Sequence, residues 1–494
     1  MWVSMHVLKK SEVTGKASRI MEKFDVVVIG GGPAGYPAAI RSAQLGAKIA
    51  LVEKGEVGGV CLNTGCIPTK ALISGAELFA GVMGGKLLGV KADKISFDYS
   101  VISQHKDKVV SQLRRGVETL LNSYGVHVFK GVAVFDSRNK IVIRKPVTSD
   151  TRKQKEEIIV SNSVIIATGS QPIIPEGFPV SPRVIDSTGF LKLTSLPASL
   201  VIVGGGVVGC EVACLSARLG VRVTIVELLE DILFMLDEDI RREIRKYMED
   251  VLSIRILTGA SISKVMADKN KVTTVSGEEA IQSEMMLVAT GRRPATQELA
   301  LEKAGVKVDS KGAIQIDEFC RTTSATIFAA GDVTGKWQLA HAATAQGITA
   351  AENACSSRRV SCESIVPVCL FTSPEAGAVG LTEQEAKKRG IEYKVGKFPF
   401  SALGRALAGN EPNGFAKIIA DSSTGQILGA HVVGTHATEL IAEAVLAVRG
   451  EFTLEELAST VHCHPTYSEI WAESARVALG TSWHLTKRPV RKVH

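Results

Sequence analysis

Residues 27–53 read VVIGGGPAGYPAAIRSAQLGAKIALVE, and residues 201–227 read VIVGGGVVGCEVACLSARLGVRVTIVE. The two stretches align without a gap at an offset of 174, with twelve of 27 positions identical. Each is an apolar run, a Gly-rich turn, a helical stretch and a second apolar run ending in Glu, which is a βαβ unit made twice. The period is far too long for a solenoid, so the chain carries two separate nucleotide-binding units. In the first, Gly30 allows the tight turn, Gly32 lets the backbone approach a pyrophosphate, and Gly35 lets the helix pack closely. The helix N-terminus adds amide donors and the positive end of its dipole. Glu53 stands where a carboxylate accepts from ribose hydroxyls. Gly204, Gly206, Gly209 and Glu227 repeat the pattern. Two such sites imply two dinucleotides, with FAD and NAD(P) as the natural pair. A carboxylate at position 227 accepts from a 2′-hydroxyl and repels a 2′-phosphate. Residues 228–231, Leu-Leu-Glu-Asp, add no cation, so NAD is favoured over NADP.

Working outward, 494 residues leave room for about three domains. Apolar residues at 45% and charged residues at 22% make an ordinary globular chain, and 46 Gly with few aromatics suits an α/β protein with many tight turns. The net charge of +7 sits in the tails: Lys9, Lys10, Lys16 and Arg19 against Glu12 at the front, and Lys487, Arg488, Arg491 and Lys492 at the back. Residues 22–480 are neutral, which gives no basic face for nucleic acid. The tails read as solvated ends. No run approaches the ~18 apolar residues of a membrane span, because Gly or charge interrupts the longest candidates. Nine cysteines, an odd number in a long chain, argue against a secreted disulfide scaffold and for a reducing compartment. The cytoplasm is expected, with an organelle matrix as the alternative. The first residues lack the apolar core of a secretory signal and have a single Arg for a transit peptide. A start at Met21 would leave the first strand intact.

Helices are expected at 66–83, beginning after Pro68, and at 97–124, 341–355, 382–389 and 437–449. Residues 454–479 read as helical around a His-rich break. Short β-rich runs between 126 and 167 surround a polar hairpin tip or loop at 147–157. Strands end in VIIATGS (164–170), LVATGRRP (287–294) and TIFAAGD (326–332), and from about 366 strands dominate. The expected fold class is α/β: two Rossmann-like dinucleotide-binding domains plus a C-terminal α+β domain.

Residues 58–70 read GGVCLNTGCIPTK. Zinc ligand pairs are usually closer than Cys61 and Cys66, and they need two more ligands nearby. A set of Cys61, Cys66, His462 and His464 would leave the Gly-rich loops and both nucleotide units unexplained, so no metal is expected. A helix starting just after Cys66 stabilises a thiolate there, and the pair suits a redox-active disulfide. Residues 462–469 read HCHPTYSE. A His followed across a Pro turn by Glu469 suggests a base held by a carboxylate, which accepts from one ring nitrogen and raises the basicity of the other. Cys210, Cys214, Cys320, Cys355, Cys362, Cys369 and Cys463 read as buried small apolar residues. Pro37, early in the first helix, suggests a slight kink.

GGVCLNTGCIPTK resembles the redox-disulfide motif of the pyridine nucleotide-disulfide, or flavin disulfide, oxidoreductases, nearest the members that act on dihydrolipoyl groups. The likeness runs from about Phe24 to Ala478. It implies an FAD-binding domain at 22–168 and 294–364, an NAD-binding domain at 169–293 and an interface, or dimerisation, domain at 365–480, between tails 1–21 and 481–494. It implies that Cys61 exchanges with a dithiol substrate while Cys66 lies against the flavin. Lys70 resembles the flavin-adjacent lysine, with Glu211 as its ion-pair partner, and a cation there stabilises reduced, anionic flavin. Asp332 corresponds to a second FAD contact. Gly169 and Gly291 correspond to crossovers between domains, and Ala340, in LAHAATAQG, belongs to the helix facing the flavin ring. His464 corresponds to the general acid–base of an H-P-T-x-x-E signature and Glu469 to the group orienting it, supplied by the partner subunit of a homodimer; His462 is structural. The activity implied is oxidation of dihydrolipoamide to lipoamide with reduction of NAD+, on the lipoyl domain of a 2-oxo-acid dehydrogenase or glycine cleavage complex. Glu227 opposes the alternative of an NADPH-driven reductase of the glutathione type. The C-terminus lacks the paired cysteines of a mercuric reductase, and intact Cys61, Cys66, His464 and Glu469 oppose a scaffold subunit without chemistry.

Overall fold

The computed structural model describes residues 22–145, 156–356 and 359–486. The N-terminal tail 1–21, residues 487–494 of the C-terminal tail with all four of its basic residues, and residues 147–155 of the expected hairpin tip lie outside them; Glu156 and Glu157 already belong to a strand. The first βαβ unit is β1 (Glu22–Ile29), α1 (Gly35–Gln44) and β2 (Ile49–Glu53). Next come α2 (Gly59–Thr64), α3 (Cys66–Gly84) and α4 (Tyr99–Ser123), then β3 (His127–Lys130), β4 (Val132–Ser137), β5 (Lys140–Arg144) and β6 (Glu156–Ile166). The sheet order is β3-β2-β1-β6-β5-β4. Its centre is parallel and buried on both faces, which is why VVVI and SVII are continuous apolar runs.

The chain then crosses through β7 (Ser170–Pro172) to β8 (Val184–Ile185), α5 (Ser187–Phe190), β9 (Ser199–Val203), α6 (Val207–Arg218), β10 (Arg222–Val226), α7 (Glu238–Asp250) and β11 (Arg255–Leu257). An antiparallel meander follows, β12 (Ile262–Ala267), β13 (Val272–Ser276) and β14 (Glu279–Ser283), before β15 (Met285–Val288). The second parallel sheet is ordered β11-β10-β9-β15-β8. The repeat extends to register: Val26 faces Ile49 in the first sheet, and Leu200 faces Val223 in the second, each 174 further along. The return runs through β16 (Arg292–Pro294), antiparallel to β7, to β17 (Ile327–Ala329), which adds to β6 of the first sheet. Helix α8 (Ala340–Cys355) then packs on α1.

The last part is an antiparallel sheet, β18 (Val368–Leu370), β19 (Ala376–Gly380), β20 (Tyr393–Pro399), β21 (Gly414–Asp421) and β22 (Ile427–Gly434), in the order β18-β19-β22-β21-β20. Helices α9 (Glu383–Lys388), α10 (Gly404–Ala408), α11 (Ala437–Arg449), α12 (Leu454–Ser459) and α13 (Glu469–Leu479) complete it, around a core holding the fully buried Trp471. Lys417 of β21, also fully buried, meets Asp237 at 2.9 Å, Asp239 at 3.0 Å and Glu383 at 2.5 Å, tying the start of α7 to this sheet.

Four expectations need correction. Helix α3 begins at Cys66, not after Pro68, and Cys61 sits on a short helix of its own, α2. Pro68 and Pro37 are each the third residue of a helix, where the missing N–H costs no helical hydrogen bond, so Pro37 requires no kink. The stretch Gly59–Leu88 is long and apolar enough to cross a membrane by length and composition, with mean hydropathy 1.3. Leu, Ile, Val and Ala raise its hydropathy despite Lys70, but it is broken at Gly65 and packs on α4 and α6. Of the cysteines read as buried, only Cys210, Cys214 and Cys320 are; Cys355, Cys362 and Cys369 are half-buried and Cys463 is exposed.

Candidate active site

The two Gly-rich turns are built alike. Gly30 and Gly204 take φ of +101° and +106°, a region that favours Gly, and an added Cβ would stand 2.3 Å from the Ala167 carbonyl oxygen or 2.4 Å from that of Ala289. A Cβ on Gly35 or Gly209 would meet the Gly30 or Gly204 oxygen at 1.7 or 2.0 Å, so each helix lies directly against its own turn. Glu53 accepts from the Gly31 N–H at 2.6 Å and the Gly55 N–H at 2.7 Å; Glu227 accepts from Gly205 at 2.5 Å and Leu229 at 2.8 Å. Both acids therefore shape their own turns. Among the described residues, no side chain caps α1 or α6, so neither helix N-terminus is pre-empted for a pyrophosphate. Beside Glu227, Leu228 and Leu229 are exposed and apolar. The nearby cations Arg241 and Arg245 are committed to Asp231, at 3.2 and 3.1 Å. These features fit FAD at the first turn and NAD at the second.

The cysteine pair is anchored to the first turn. The Gly58 N–H donates to the Gly31 carbonyl at 2.8 Å, and a Cβ on Gly59 would press on the Gly32 Cα at 2.6 Å. Helix α2 thus starts on the phosphate turn and carries Cys61, and α3 starts with Cys66. Both cysteines are free thiols. Cys61 donates its thiol proton to Cys66, which lowers the Cys66 pKa to about 7; burial opposes this and Lys70 assists. The same hydrogen bond, with burial, pushes Cys61 up. Of the two, Cys66 therefore gives up its proton first, and Cys61 holds its own.

One turn beyond Cys66, Lys70 meets both Glu211 oxygens, at 2.9 and 3.0 Å, and lies 4.3 Å from the centre of the Phe371 ring. Glu211 is buried in α6 and also accepts from the Phe371 N–H at 3.1 Å. This brings the first unit, the second unit and the C-terminal sheet to one point. Nearby, Asp332 accepts from the Ser170 hydroxyl at 2.6 Å, and Arg292 donates to the same hydroxyl at 2.7 Å and to the Ser170 carbonyl at 2.8 Å. Burial lowers the pKa of Arg292, while Asp332, Asp186 and Cys66 oppose it. Gly169 and Gly291 lie in the crossovers, which bond to each other through β7 and β16. Gln346 of α8 accepts from the Gly331 N–H at 2.8 Å, and Ala340 opens the same helix. Sequence reasoning did not find Ser170, Arg292, Phe371 or Gln346; the available signal was adjacency, since Ser170 follows Gly169 and Arg292 follows Gly291.

His464 Nδ1 lies 2.8 Å from Glu469 Oε1, and the other Glu469 oxygen accepts from the Thr466 N–H at 2.8 Å. Partial burial works against this carboxylate, but the Thr466 amide and the His464 ring hold it below its ordinary range. His462 is paired as well, with Glu443 at 2.7 Å, which raises its pKa. Exposure separates the two: the His464 side chain is 76% exposed and that of His462 is 9% exposed. Among the described residues, His464 has no hydrogen bond to the elements carrying Cys61 and Cys66. No three His, Cys, Asp or Glu of the described residues gather as a metal site.

Two dinucleotide turns joined to a dithiol define a flavin- and nicotinamide-linked disulfide enzyme, and the chain belongs to the pyridine nucleotide-disulphide oxidoreductase family. Residues 24–347 match the family itself and residues 366–475 its dimerisation domain. A dihydrolipoyl dehydrogenase of Chlamydia pneumoniae is 42% identical over 464 residues, covering 94% of this chain and 98% of that one. The dihydrolipoyl dehydrogenase of Geobacillus stearothermophilus is 40% identical over 466 residues, covering 93% and 97%. Among solved structures, the Cu(II) complex of the HOCl-induced flavoprotein disulfide reductase RclA from Escherichia coli is similar at a TM-score of 0.83 and 30% identity, over 92% of this chain and 99% of that one.

Proposed function

We propose that this chain oxidises dihydrolipoyl groups to lipoyl groups and reduces NAD+, as a dihydrolipoyl dehydrogenase does. The observation that carries the reading is the Cys61–Cys66 pair anchored to the first dinucleotide turn, with the Lys70–Glu211 ion pair one helical turn beyond it. When bound, FAD supplies the two-electron relay between this pair and NAD+. In the oxidised enzyme, Cys61 and Cys66 share a disulfide. His464, oriented by Glu469, takes a thiol proton from the substrate. The substrate thiolate attacks Cys61 Sγ, the Cys61–Cys66 bond breaks, and Cys66 leaves as the thiolate that its surroundings favour. The second substrate sulfur closes on the first, lipoamide departs, and Cys61 is released. Of the two thiol protons, one ends on Cys61 and the other leaves to solvent through His464.

The outward His464 and the dimerisation domain support a homodimer in which His464 serves the partner's cysteines. A lipoyl domain is the proposed protein substrate, and the cytoplasm the proposed compartment. Glu227, with Arg241 and Arg245 both paired to Asp231, supports NAD+ as acceptor. Steady-state rates with dihydrolipoamide and NAD+, beside reduced glutathione and NADP+, test the reading. Turnover confined to the first pair is expected; turnover confined to the second would overturn it.

A further inference from the structure

A second thiol pair lies outside this site. Cys320 is fully buried in the Asp317–Arg321 turn, where its backbone carbonyl accepts from the Ala329 N–H of β17 at 2.9 Å. Cys362 is half-buried in the connector between α8 and β18. The connector is held to the turn independently of the sulfurs. The Cys362 N–H donates to the Glu318 carbonyl at 2.8 Å. The Asn353 amide bridges the two segments, donating to Phe319 at 3.0 Å and Val360 at 2.8 Å and accepting from the Val360 N–H at 2.8 Å. The two Sγ atoms stand 2.7 Å apart. Cys320 keeps its proton, pushed up by the Cys362 contact and by burial, while the Cys320 thiol and Lys336 lower Cys362 against burial. The accessible member is therefore the one that more readily becomes a thiolate, as a peroxide-sensitive thiol requires.

We propose that Cys320 and Cys362 form a redox-modification site, in which a hydroperoxide converts the pair into a disulfide that staples the connector to the dinucleotide-binding half. The Cys362 thiolate attacks one oxygen of hydrogen peroxide and the O–O bond breaks, giving a sulfenic acid and a hydroxide that takes up a proton. The Cys320 sulfur gives its proton to solvent and attacks the sulfenic sulfur. The S–S bond forms and the oxygen leaves as water. Two thiols and one peroxide thus yield one disulfide and two waters. The bridge closes the loop that contains Asp332 and α8, and it uses neither Cys61 nor Cys66.

The test treats the holoenzyme with stepwise hydrogen peroxide, alkylates the remaining thiols and digests with trypsin and a glutamate-specific protease. These cuts isolate Cys320 in FCR (319–321) and Cys362 in VSCE (360–363). A linked FCR–VSCE fragment, lighter by two hydrogens than its halves, is expected. It should disappear on treatment with dithiothreitol and be absent from Cys320→Ser and Cys362→Ser. Reduced Cys362→Ser should turn over like the unmutated enzyme, and the bridged protein should melt several degrees higher than the reduced one. Recovery of Cys362 only as free thiol or sulfinic acid, at doses that oxidise Cys61 and Cys66, would overturn the pairing. A bridge that leaves the melting temperature unchanged would overturn the staple.

Discussion

His464→Gln removes the ring that projects from the 463–468 turn while leaving Glu469 anchored to the Thr466 amide. Because Nδ1 is held by Glu469, Nε2 is the nitrogen left to receive a thiol proton. A positioned general base contributes about 10²–10⁴-fold, so turnover with dihydrolipoamide should fall by that factor. Reduction of the flavin by NADH, followed by stopped-flow absorbance, involves no substrate thiol and should be unchanged. His462→Gln should do far less, since that ring is enclosed and engaged by Glu443. Mixing subunits locates the base. Cys61→Ser homodimers should be inactive and His464→Gln homodimers nearly so. A heterodimer whose sites draw Cys61 from one chain and His464 from the other has one intact and one doubly broken site, so roughly half of the unmutated activity should return. Heterodimers verified by mass that recover nothing would refute delivery across the two-fold axis.

The cysteine roles are separable by spectrum: a long-wavelength thiolate-to-flavin band in the two-electron-reduced enzyme should persist in Cys61→Ser and vanish in Cys66→Ser. In the unmutated enzyme that band should strengthen as pH rises through about 7 and bleach below it, since the thiolate is the high-pH form, and Lys70→Met should move the midpoint upward. NAD+ should exceed NADP+ by orders of magnitude in kcat/KM, and Glu227→Arg should narrow the gap; equal rates would remove Glu227 as the ribose contact. Lys417→Met strands three carboxylates around a fully buried position and should cost about 3–5 kcal/mol, seen as a lower melting temperature, while an unchanged one would refute the buried cluster as a tie between domains.

The βαβ repeat was legible because one local pattern sets both the turn and the register, and the same residues recur at a fixed offset. The cysteine pair and the His464–Glu469 spacing were legible for the same reason, each lying within a few residues of chain. What escaped notice depends on topology. Ser170, Arg292 and Asp332 meet only because two crossovers run antiparallel. Arg241 and Arg245 come from the next helix to reach Asp231, and Lys417 looks in sequence like a solvent-facing position in a strand. The lowered Cys66 pKa was foreseen from the helix N-terminus, yet the proton shared with Cys61 is the larger cause. Glu443 beside His462 was not foreseen, and it makes exposure, rather than a carboxylate partner, the property that distinguishes the two histidines.

The placement of β17 and α8 also bears on the order in which the polypeptide can take shape as it is made. The middle sheet is complete once Val288 has been added, because β8 to β15 are contiguous in the chain. The first sheet is begun earlier but must leave Val164–Ile166 of β6, beyond the stretch that β5 pairs, open on one side until Ile327 arrives. Helix α1 waits longer still for α8, whose Gly347 lies so close that a Cβ there would stand 2.1 Å from the Ala34 carbonyl. A nascent chain therefore finishes its interior lobe first and carries an unpaired strand edge on the outer one through roughly a third of synthesis, the interval in which a holdase has most to protect.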